Sequence, residues 1–437
     1  MRSTRSRTGR RWRYGTAAVA VLTLGVASAC SSGSSTPATT GSGSSSPAAA
    51  GAAGSGGTLS FPRNETLYTS GTAYGPPVNW NPLDTGAFAT GTQGLIYEPL
   101  YLYDPVKNAY DPWLATGTEA SGWQGSKYVI NVRSGVKWSD GQALTGADVA
   151  YSINLARTNA ADPYSANVAT VATATASGNT VTVTFKGTPG YTEFTDYLWK
   201  APVLPQHIWS KIPASQIATN ANTHPVGTGP MTLDTANTQE VAYQTKPDWW
   251  GTSALGLSFK FKYLVDVVNG SNSQELGQLN SGNIDWSNNY LPGINMLASA
   301  QGGNSGYSLK FFYDKSPYML SGNTVWLEPN TTKAPMSNVN FRKALAAALN
   351  PSAIAQAVYG GIAAPSTPTG LLPTLKGFVD QSVVSQNATT YDPAKAKSLL
   401  AQSGYNGRTL TLEAPQGWSD WNSAQTVIAQ ELSAVGI

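Results

Sequence analysis

The stretch "YDPAKAKSLLAQSGYNGRTLTLEAPQGWSDWNSAQTVIAQELSAV", residues 391–435, combines the signals of a helix, a strand and a second helix. Asp392 is placed to cap the first helix, and Gly404 is a stop signal after it. Residues 408–414 are rich in Thr and Leu in alternation, which predicts a strand, and 419–435 carry a helical apolar period. Helix, strand and helix in this order predict an α/β fold.

The segments upstream agree with a mixture of helices and strands. Residues 340–361 predict two helices that are separated at Asn350-Pro351. Residues 127–132 and 179–187 alternate apolar and polar side chains, which is the period of a half-buried strand. We expect both to lie in one antiparallel sheet.

Two carboxylates between those strands raise the question of acid/base chemistry. Asp140-Gly141 follows a strand signal and suits a tight turn. Thr145 stands three residues before Asp148 and ahead of an apolar helical run, which is the spacing of a capping box. Each acid therefore has a sufficient structural role.

Length and composition describe a globular protein with rather few charges. The 437 residues suffice for two or three domains, and only 12% of them are charged. The 13 Trp and 21 Tyr suit a recognition surface, although we expect most of them in the core.

The N-terminus predicts export. Six arginines precede the apolar stretch 17–27, which is too short to span a bilayer and ends in small residues, so residues 1–29 are predicted to be a signal peptide. Cys30, the only cysteine, follows "ASA" and resembles the lipidated cysteine of a bacterial lipoprotein, with a cleaved signal and a free thiol as the alternative. Residues 30–57 would then be the lipidated cysteine and a flexible Ser/Gly/Ala tether.

Without the signal peptide, the charge balance argues against a nucleic-acid partner. Removing the six arginines of the signal peptide leaves 21 of the 27 Lys and Arg residues. Against the 24 Asp and Glu residues, this gives a net charge of −3. No basic run remains for a phosphate backbone.

The sequence lacks the motifs that are typical of metal binding, nucleotide binding and nucleophilic catalysis. His207 and His224 have no further ligand at metal-like spacing, so neither a metal nor another cofactor is expected. The glycines of "GTGP", residues 227–230, suit a turn and not a phosphate cradle, and no nucleophile elbow is present. We expect no enzyme, and a cell-surface glycosidase with two carboxylates across a cleft is the alternative.

Eight ordered segments carry a family resemblance that begins near residue 58. They resemble the family 5 extracellular solute-binding proteins, the oligopeptide-, dipeptide- and nickel-binding lipoproteins of ABC importers. The segments are "IYEPLYLYDP" (96–105), "PWLATGTEASGW" (112–123), "YVINVRSGVKWSDGQALTGADVAYSI" (128–153), "HPVGTGPMTL" (224–233), "KPDWWG" (246–251), "LGQLNSGNIDW" (276–286), "NVNFRKALAAALN" (338–350) and "YDPAKAKSLLAQSGY" (391–405).

The resemblance implies a bilobal α/β protein of the periplasmic-binding-protein type II fold with an extra α+β domain. Lobe I would comprise 58–95 and 222–316, the extra domain 96–221 and lobe II 317–437. The chain stops at Gly436-Ile437, where an α/β unit would return to its sheet, so lobe II is expected to be incomplete.

The resemblance also implies the function and the partners. A peptide or other small solute would bind between the lobes, and the closed protein would dock on ABC permease subunits that a separate ATPase drives. The protein would be held by its lipid at the cell surface or on the periplasmic side of the cytoplasmic membrane. An oligosaccharide-binding member of the same family is the alternative, and a purely structural adhesion protein is a minor one.

Two loops supply candidate ligand-binding residues. The Trp-x-x-Asp-Tyr segment with which peptide binders of the family hold an α-amine does not occur, so no amine-binding residue is assigned. The loop after "LGQLNSGNIDW" and the loop "GWSDW" mix Trp, Asn and Tyr, which suits stacking and hydrogen bonding. The candidates are Trp286, Asn288, Asn289, Tyr290, Trp418 and Trp421.

Overall fold

The structure is a computed structural model that describes residues 60–70, 77–105, 107–287, 289–299, 310–313, 324–365, 367–371 and 377–437. In chain order the first elements are β1 (Thr66–Ser70), β2 (Tyr101–Asp104), β3 (Ala109–Pro112), β4 (Ala115–Thr116), β5 (Trp123–Gln124), β6 (Lys127–Val132), α1 (Gly146–Thr158), β7 (Val171–Ser177), β8 (Thr180–Phe185), α2 (Tyr191–Lys200) and α3 (Gln206–Trp209). They continue with β9 (Met231–Ala236), β10 (Glu240–Thr245), α4 (Trp250–Leu255), β11 (Tyr263–Val267), α5 (Asn272–Ser281), β12 (Trp286–Ser287) and α6 (Ile294–Ser299). The C-terminal helices are α7 (Val339–Ala348), α8 (Pro351–Tyr359), α9 (Gln381–Asn387), α10 (Pro393–Gln402) and α11 (Ser419–Ser433).

The first sheet is mixed, with the strand order β12, β1, β11, β10, β9. β1 runs parallel to both β11 and β12, whereas β10 is antiparallel to its neighbours β9 and β11. The carboxyl ends of β1, β11 and β12 therefore meet at one edge of the sheet. Its strands come from the two ranges predicted for lobe I, although the domain boundaries themselves stay predictions.

The second sheet is antiparallel and has the order β4, β6, β8, β7, with β5 paired to β6. The strands predicted at 127–132 and 179–187 are confirmed as β6 and β8, and Tyr128 lies opposite Val183 in their ladder. The side of β6 and β8 with Tyr128, Ile130, Val181 and Val183 is fully buried. One continuous core links these strands to tryptophans of α4, so the two sheets share a common interior.

The capping box predicted for α1 is confirmed. The Asp148 carboxylate accepts a hydrogen bond from Thr145 N at 2.9 Å, and its other oxygen accepts one from Gln206 N at 3.0 Å. Asp140 accepts from Gln142 N at 3.1 Å within the predicted turn. Both acids thus hold backbone in place, as their sequence context indicates.

The C-terminal helices pack through small side chains. Ala344, Ala347, Ala348 and Ala396 are buried where α7 meets α10, because alanine permits a close approach of two helices. The predicted helix break is confirmed, since the Asn350 side chain caps α8 at Ala353 N. Asp392 caps α10 as predicted, with 2.9 Å from its Oδ1 to Lys395 N.

The strand predicted at 408–414 is wrong, because these residues pair with no strand in the described part of the chain. Leu410, Leu412 and Ala414 are half-buried while the residues between them are exposed, so the alternation of a strand is present. Alternation gives a segment two faces, but a strand also needs a hydrogen-bonding neighbour. The fold class is nevertheless α/β, with helices after strands in the first sheet.

Candidate functional site

The carboxyl edge of the three parallel strands is the centre of the candidate site. Asn269, just after β11, donates to the Ser70 hydroxyl at the end of β1 over 2.6 Å, and it accepts from Gln278 Nε2 at 2.8 Å. The next residues begin α5, with Ser271 as the N-cap. In α/β sheets, ligands bind outside the carboxyl ends of parallel strands, where the backbone leaves the sheet.

Glu275 of α5 holds the loop that follows β12. Its carboxylate is fully buried and accepts hydrogen bonds from Ser287 Oγ at 2.5 Å and Asn289 Nδ2 at 2.7 Å. Burial raises the pKa of Glu275, and the hydrogen bonds from Ser287 and Asn289 oppose that rise. Glu275 thus fixes the side chains of Ser287 and Asn289 to the first turns of α5.

Asn272, the first residue of α5, joins this edge to the C-terminal helices. Its Oδ1 accepts from Ser419 N at 3.0 Å and from Ser419 Oγ at 2.5 Å. Its Nδ2 donates to Asp420 Oδ1 at 3.0 Å and to the carbonyl of Tyr290 at 3.2 Å. The Asn272 side chain is fully buried, and Asp420 is 4% exposed, so these bonds lie out of water.

Two tyrosines complete the contact. Tyr359, at the end of α8, donates to Asp420 Oδ2 over 3.2 Å, and its ring meets the Tyr290 ring edge-on with 4.9 Å between centroids. Burial, with a further contribution from the charge of Asp420, raises the pKa of Tyr290 to about 12. Burial, followed by the charge of Asp420, also raises the pKa of Tyr359, so both phenols stay neutral near pH 7. We call Asn272, Tyr290, Tyr359, Ser419 and Asp420 the polar contact.

The predicted tryptophans occur in two different settings, one at β12 and the other at the start of α11. Trp286, the first residue of β12, is 60% exposed and lies opposite Thr69 of β1, so its ring is open to a ligand. Trp418 and Trp421 are half-buried and stack on each other at 5.8 Å between centroids and 28° between planes. An exposed indole and a stacked pair of indoles each offer flat apolar faces of the kind that ligands stack on.

Two of the remaining candidates are hydrogen-bonded to other side chains, and the others lie outside the described residues. Asn289 is buried and its amide is bound to Glu275, which indicates a role in positioning the loop. Tyr290 lies in the polar contact. Asn288 and Cys30 lie outside the described residues. Contact of any of these side chains with a ligand stays a prediction.

Sequence reasoning missed Asn272, Glu275, Tyr359 and the acceptor role of Asp420. Asn272 and Asp420 each follow directly after the N-cap region of a helix, where short polar side chains are common for local reasons. Nothing in their spacing indicates that they face each other across 148 positions of sequence.

A second group of polar side chains lies around His207. His207 Nε2 lies 2.7 Å from Asp140 Oδ2 at the rim of a shallow cavity of about 370 Å³, which is lined in part by Thr145, Asp148 and Ser210. Within the described ranges, no three metal-ligating side chains come together. The same part of the chain contains no helix that is both long and apolar enough to span a bilayer.

The comparisons with known proteins agree with this geometry. Residues 109–437 match the family model of the bacterial extracellular solute-binding proteins, family 5 Middle. An ABC transporter peptide-binding protein of Brucella ovis is 27% identical over 75% of this chain and 58% of its own length. The glutathione-binding protein of Salmonella typhi is 28% identical over 76% of this chain and 60% of its own length. The chain thus spans less than two thirds of the length of these curated relatives.

Solved structures extend the likeness to three dimensions. A periplasmic oligopeptide-binding protein of an oligopeptide ABC transporter from Thermotoga maritima, crystallised with mannohexaose, is 33% identical with a TM-score of 0.80. The match covers 86% of this chain and 72% of that one. The oligopeptide-binding protein AppA of Bacillus subtilis, in complex with a nonapeptide, shares the fold at 19% identity and a TM-score of 0.63, over 85% of this chain and 73% of its own.

Proposed function

Because the chain belongs to family 5 of the bacterial extracellular solute-binding proteins, we propose that it captures a peptide and delivers it to the permease of an ABC importer. The peptide would bind at the carboxyl edge of the first sheet, between that edge and the C-terminal helices. A separate ATPase would drive the permease, and the binding protein itself would carry out no turnover.

The polar contact is the observation that carries this proposal. It places the loop with Trp286, the first turn of α5 and the first turn of α11 side by side, although they come from distant parts of the chain. A site built from two bodies that meet through polar side chains can open and close, since such contacts exchange with water at modest net cost. The names of the Brucella and Salmonella relatives support a peptide as the solute.

A ligand panel tests the proposal. Peptides of two to nine residues are expected to raise the Tm of the full chain by a few degrees, because a ligand that binds only the folded state stabilises it. The Trp286→Ala variant is expected to lose most of the rise. Tyr191, an aromatic residue of α2 that is 51% exposed, gives the matched control Tyr191→Ala, which is expected to keep the rise. No response to any peptide would contradict the proposal.

An oligosaccharide is the second candidate solute, favoured by the mannohexaose in the Thermotoga structure and by the tryptophans at the edge. Sugars stack on indole faces and bind amide side chains, and they need no charged partner. Mannohexaose in the same panel decides between the two: a rise with mannohexaose and none with peptides would replace the first candidate. Hydrolysis of a glycan by the chain would replace both with a glycosidase.

We also propose that residues 1–29 direct export and that Cys30 carries the lipid that holds the protein to the outer face of the membrane. Cys30 is the only thiol of the chain and follows small residues after an apolar stretch. Cys30→Ser is expected to abolish incorporation of labelled palmitate and to move the protein from the detergent phase to the aqueous phase. Unchanged partitioning would exclude the anchor.

A further inference from the structure

Asn272 uses all of its hydrogen-bonding capacity at the polar contact. A carboxamide offers two donors and two acceptor lone pairs. Its oxygen accepts twice from Ser419, and its nitrogen donates once to Asp420 and once to Tyr290. The backbone N–H of Asn272 donates to Gly417 O at 3.2 Å as well.

The hydrogen bonds of Asn272 connect α5 to two different parts of the chain. Those to Gly417, Ser419 and Asp420 fix α5 against the first turn of α11, whereas the bond to the Tyr290 carbonyl fixes α5 against the loop that presents Trp286. Glu275, one turn further along α5, holds the same loop through Ser287 and Asn289. The first turn of α5 is therefore the shared support of the loop and of the C-terminal helices.

We propose that Asn272 is a positioning residue, which couples the position of the Trp286 loop to the orientation of α11. This inference rests on the proposed function, because the loop is the one to which the solute would bind. A solute that moves the loop changes the geometry at the Tyr290 carbonyl. The planar amide of Asn272 cannot rotate towards one partner without breaking its hydrogen bonds to the others. The movement of the loop therefore alters the hydrogen bonds to Ser419 and Asp420.

A side-chain exchange separates the two directions of the coupling. In the double variant N272D/D420N, the new carboxylate accepts from Ser419 N, Ser419 Oγ and the new amide, so the tie to α11 is retained. The Tyr290 carbonyl loses its donor, because a carboxylate has none to offer. The single variant N272A removes the side-chain bonds in both directions and keeps only the backbone bond to Gly417. Asn81→Ala is the matched control, because Asn81 is also fully buried and hydrogen-bonded but lies away from the site.

The first measurement needs no solute. Spin labels at T252C on α4 and K397C on α10, two exposed positions, report the distance between the first-sheet region and the C-terminal helices in a chain that carries C30S. N272A is expected to broaden the distance distribution measured by double electron–electron resonance. N272D/D420N and N81A are expected to keep the distribution of the parent chain. An unchanged distribution in N272A would overturn the proposal.

The second measurement is calorimetric titration with whichever probe the parent chain binds, a peptide or mannohexaose. N272D/D420N is expected to bind about tenfold more weakly, because the loop has lost a buried hydrogen bond while the α11 tie is present. N81A is expected to bind like the parent chain. Parent-like affinity of the exchange variant would overturn the coupling to the loop. If the parent chain binds neither probe, the proposed function fails, and the distance measurement still decides the tie to α11.

Discussion

Glu98 is buried among three tryptophans whose indole N–H groups all point to its carboxylate. Trp113 and Trp249 donate to Oε1 over 2.8 and 3.3 Å, and Trp250 donates to Oε2 over 2.9 Å. Burial raises the pKa of Glu98, and the indole hydrogen bonds oppose the rise. The residue joins the segment before β4 to α4, and so connects the cores of the two sheets.

Replacing Glu98 by alanine is expected to lower the free energy of unfolding by about 3 to 5 kcal/mol, because two buried indole donors and one half-buried indole donor lose their acceptor. Urea unfolding followed by tryptophan fluorescence measures the loss. Trp113→Phe removes a single donor and is the control, with an expected loss nearer 1 kcal/mol. A loss of unfolding free energy below 1 kcal/mol in E98A would contradict this prediction, because it would mean that water accepts the indole hydrogen bonds in place of the carboxylate.

Asp162 is a buried acid for which a single backbone hydrogen bond opposes the effect of burial on the pKa. It is 3% exposed, and its Oδ1 accepts from Tyr164 N at 2.8 Å. Burial raises its pKa from 3.8 to about 6, against the opposing effect of that one hydrogen bond. The folded protein therefore binds a proton more tightly at this site than the unfolded chain does.

The pKa of Asp162 predicts a pH dependence of stability with a definite sign. Its contribution is fully present below about pH 4 and is lost as the pH rises through 6, because only the unfolded chain then deprotonates freely. The difference between a pKa of 3.8 and one of about 6 corresponds to a loss of about 3 kcal/mol of unfolding free energy at pH 7 relative to low pH. Asp162→Asn is expected to flatten the unfolding free energy between pH 4 and 6 relative to the parent, measured by urea titration at each pH. An unchanged slope would contradict the assignment.

At the scale of elements, the "GTGP" segment shows how close backbones can lie. Gly229 N donates to Ile96 O at 2.8 Å, and a Cβ on Gly229 would lie 2.2 Å from Leu95 O. A Cβ on Gly227 would lie 1.9 Å from Ile96 O. The glycines therefore do more than turn the chain: they let the segment that enters β9 pass against residues 95–96.

Gly229→Ala is expected to lower the free energy of unfolding by about 3 kcal/mol, because backbone has to move to admit the methyl group. Gly86→Ala is the control, since nothing lies within 4 Å of its Cβ position. Thermal unfolding of the two variants beside the parent chain gives the comparison. Equal Tm values for both variants would show that the segment moves at little cost.

At the scale of the whole molecule, distant parts of the chain meet at the polar contact. A bound solute is expected to slow amide hydrogen exchange in the first turns of both α5 and α11, because closure stabilises both sides of the contact. Exchange in α1, which lies on the second sheet, is the internal control and is expected to stay unchanged. Protection of α5 alone would mean that the solute binds without engaging α11.

Most of the local elements and the family can be inferred from short segments of the amino-acid sequence. Capping residues, period-two strands and the break at Asn350-Pro351 depend on neighbours within a few positions, and the structure confirms them. The candidate tryptophans were visible as an unusual composition of two loops. The solute and the ligand contacts stay proposals.

Contacts between side chains that are distant in sequence could not be predicted, because they depend on the folded chain. Residues 408–414 have the pattern of a strand but no pairing partner among the described residues, and a partner is not encoded in the segment itself. Asn272 and Asp420 each have an adequate local explanation at a helix start, yet they are hydrogen-bonded to one another. The physical reason is that burial and hydrogen-bond partners are properties of the folded chain, whereas propensity and capping are properties of short segments.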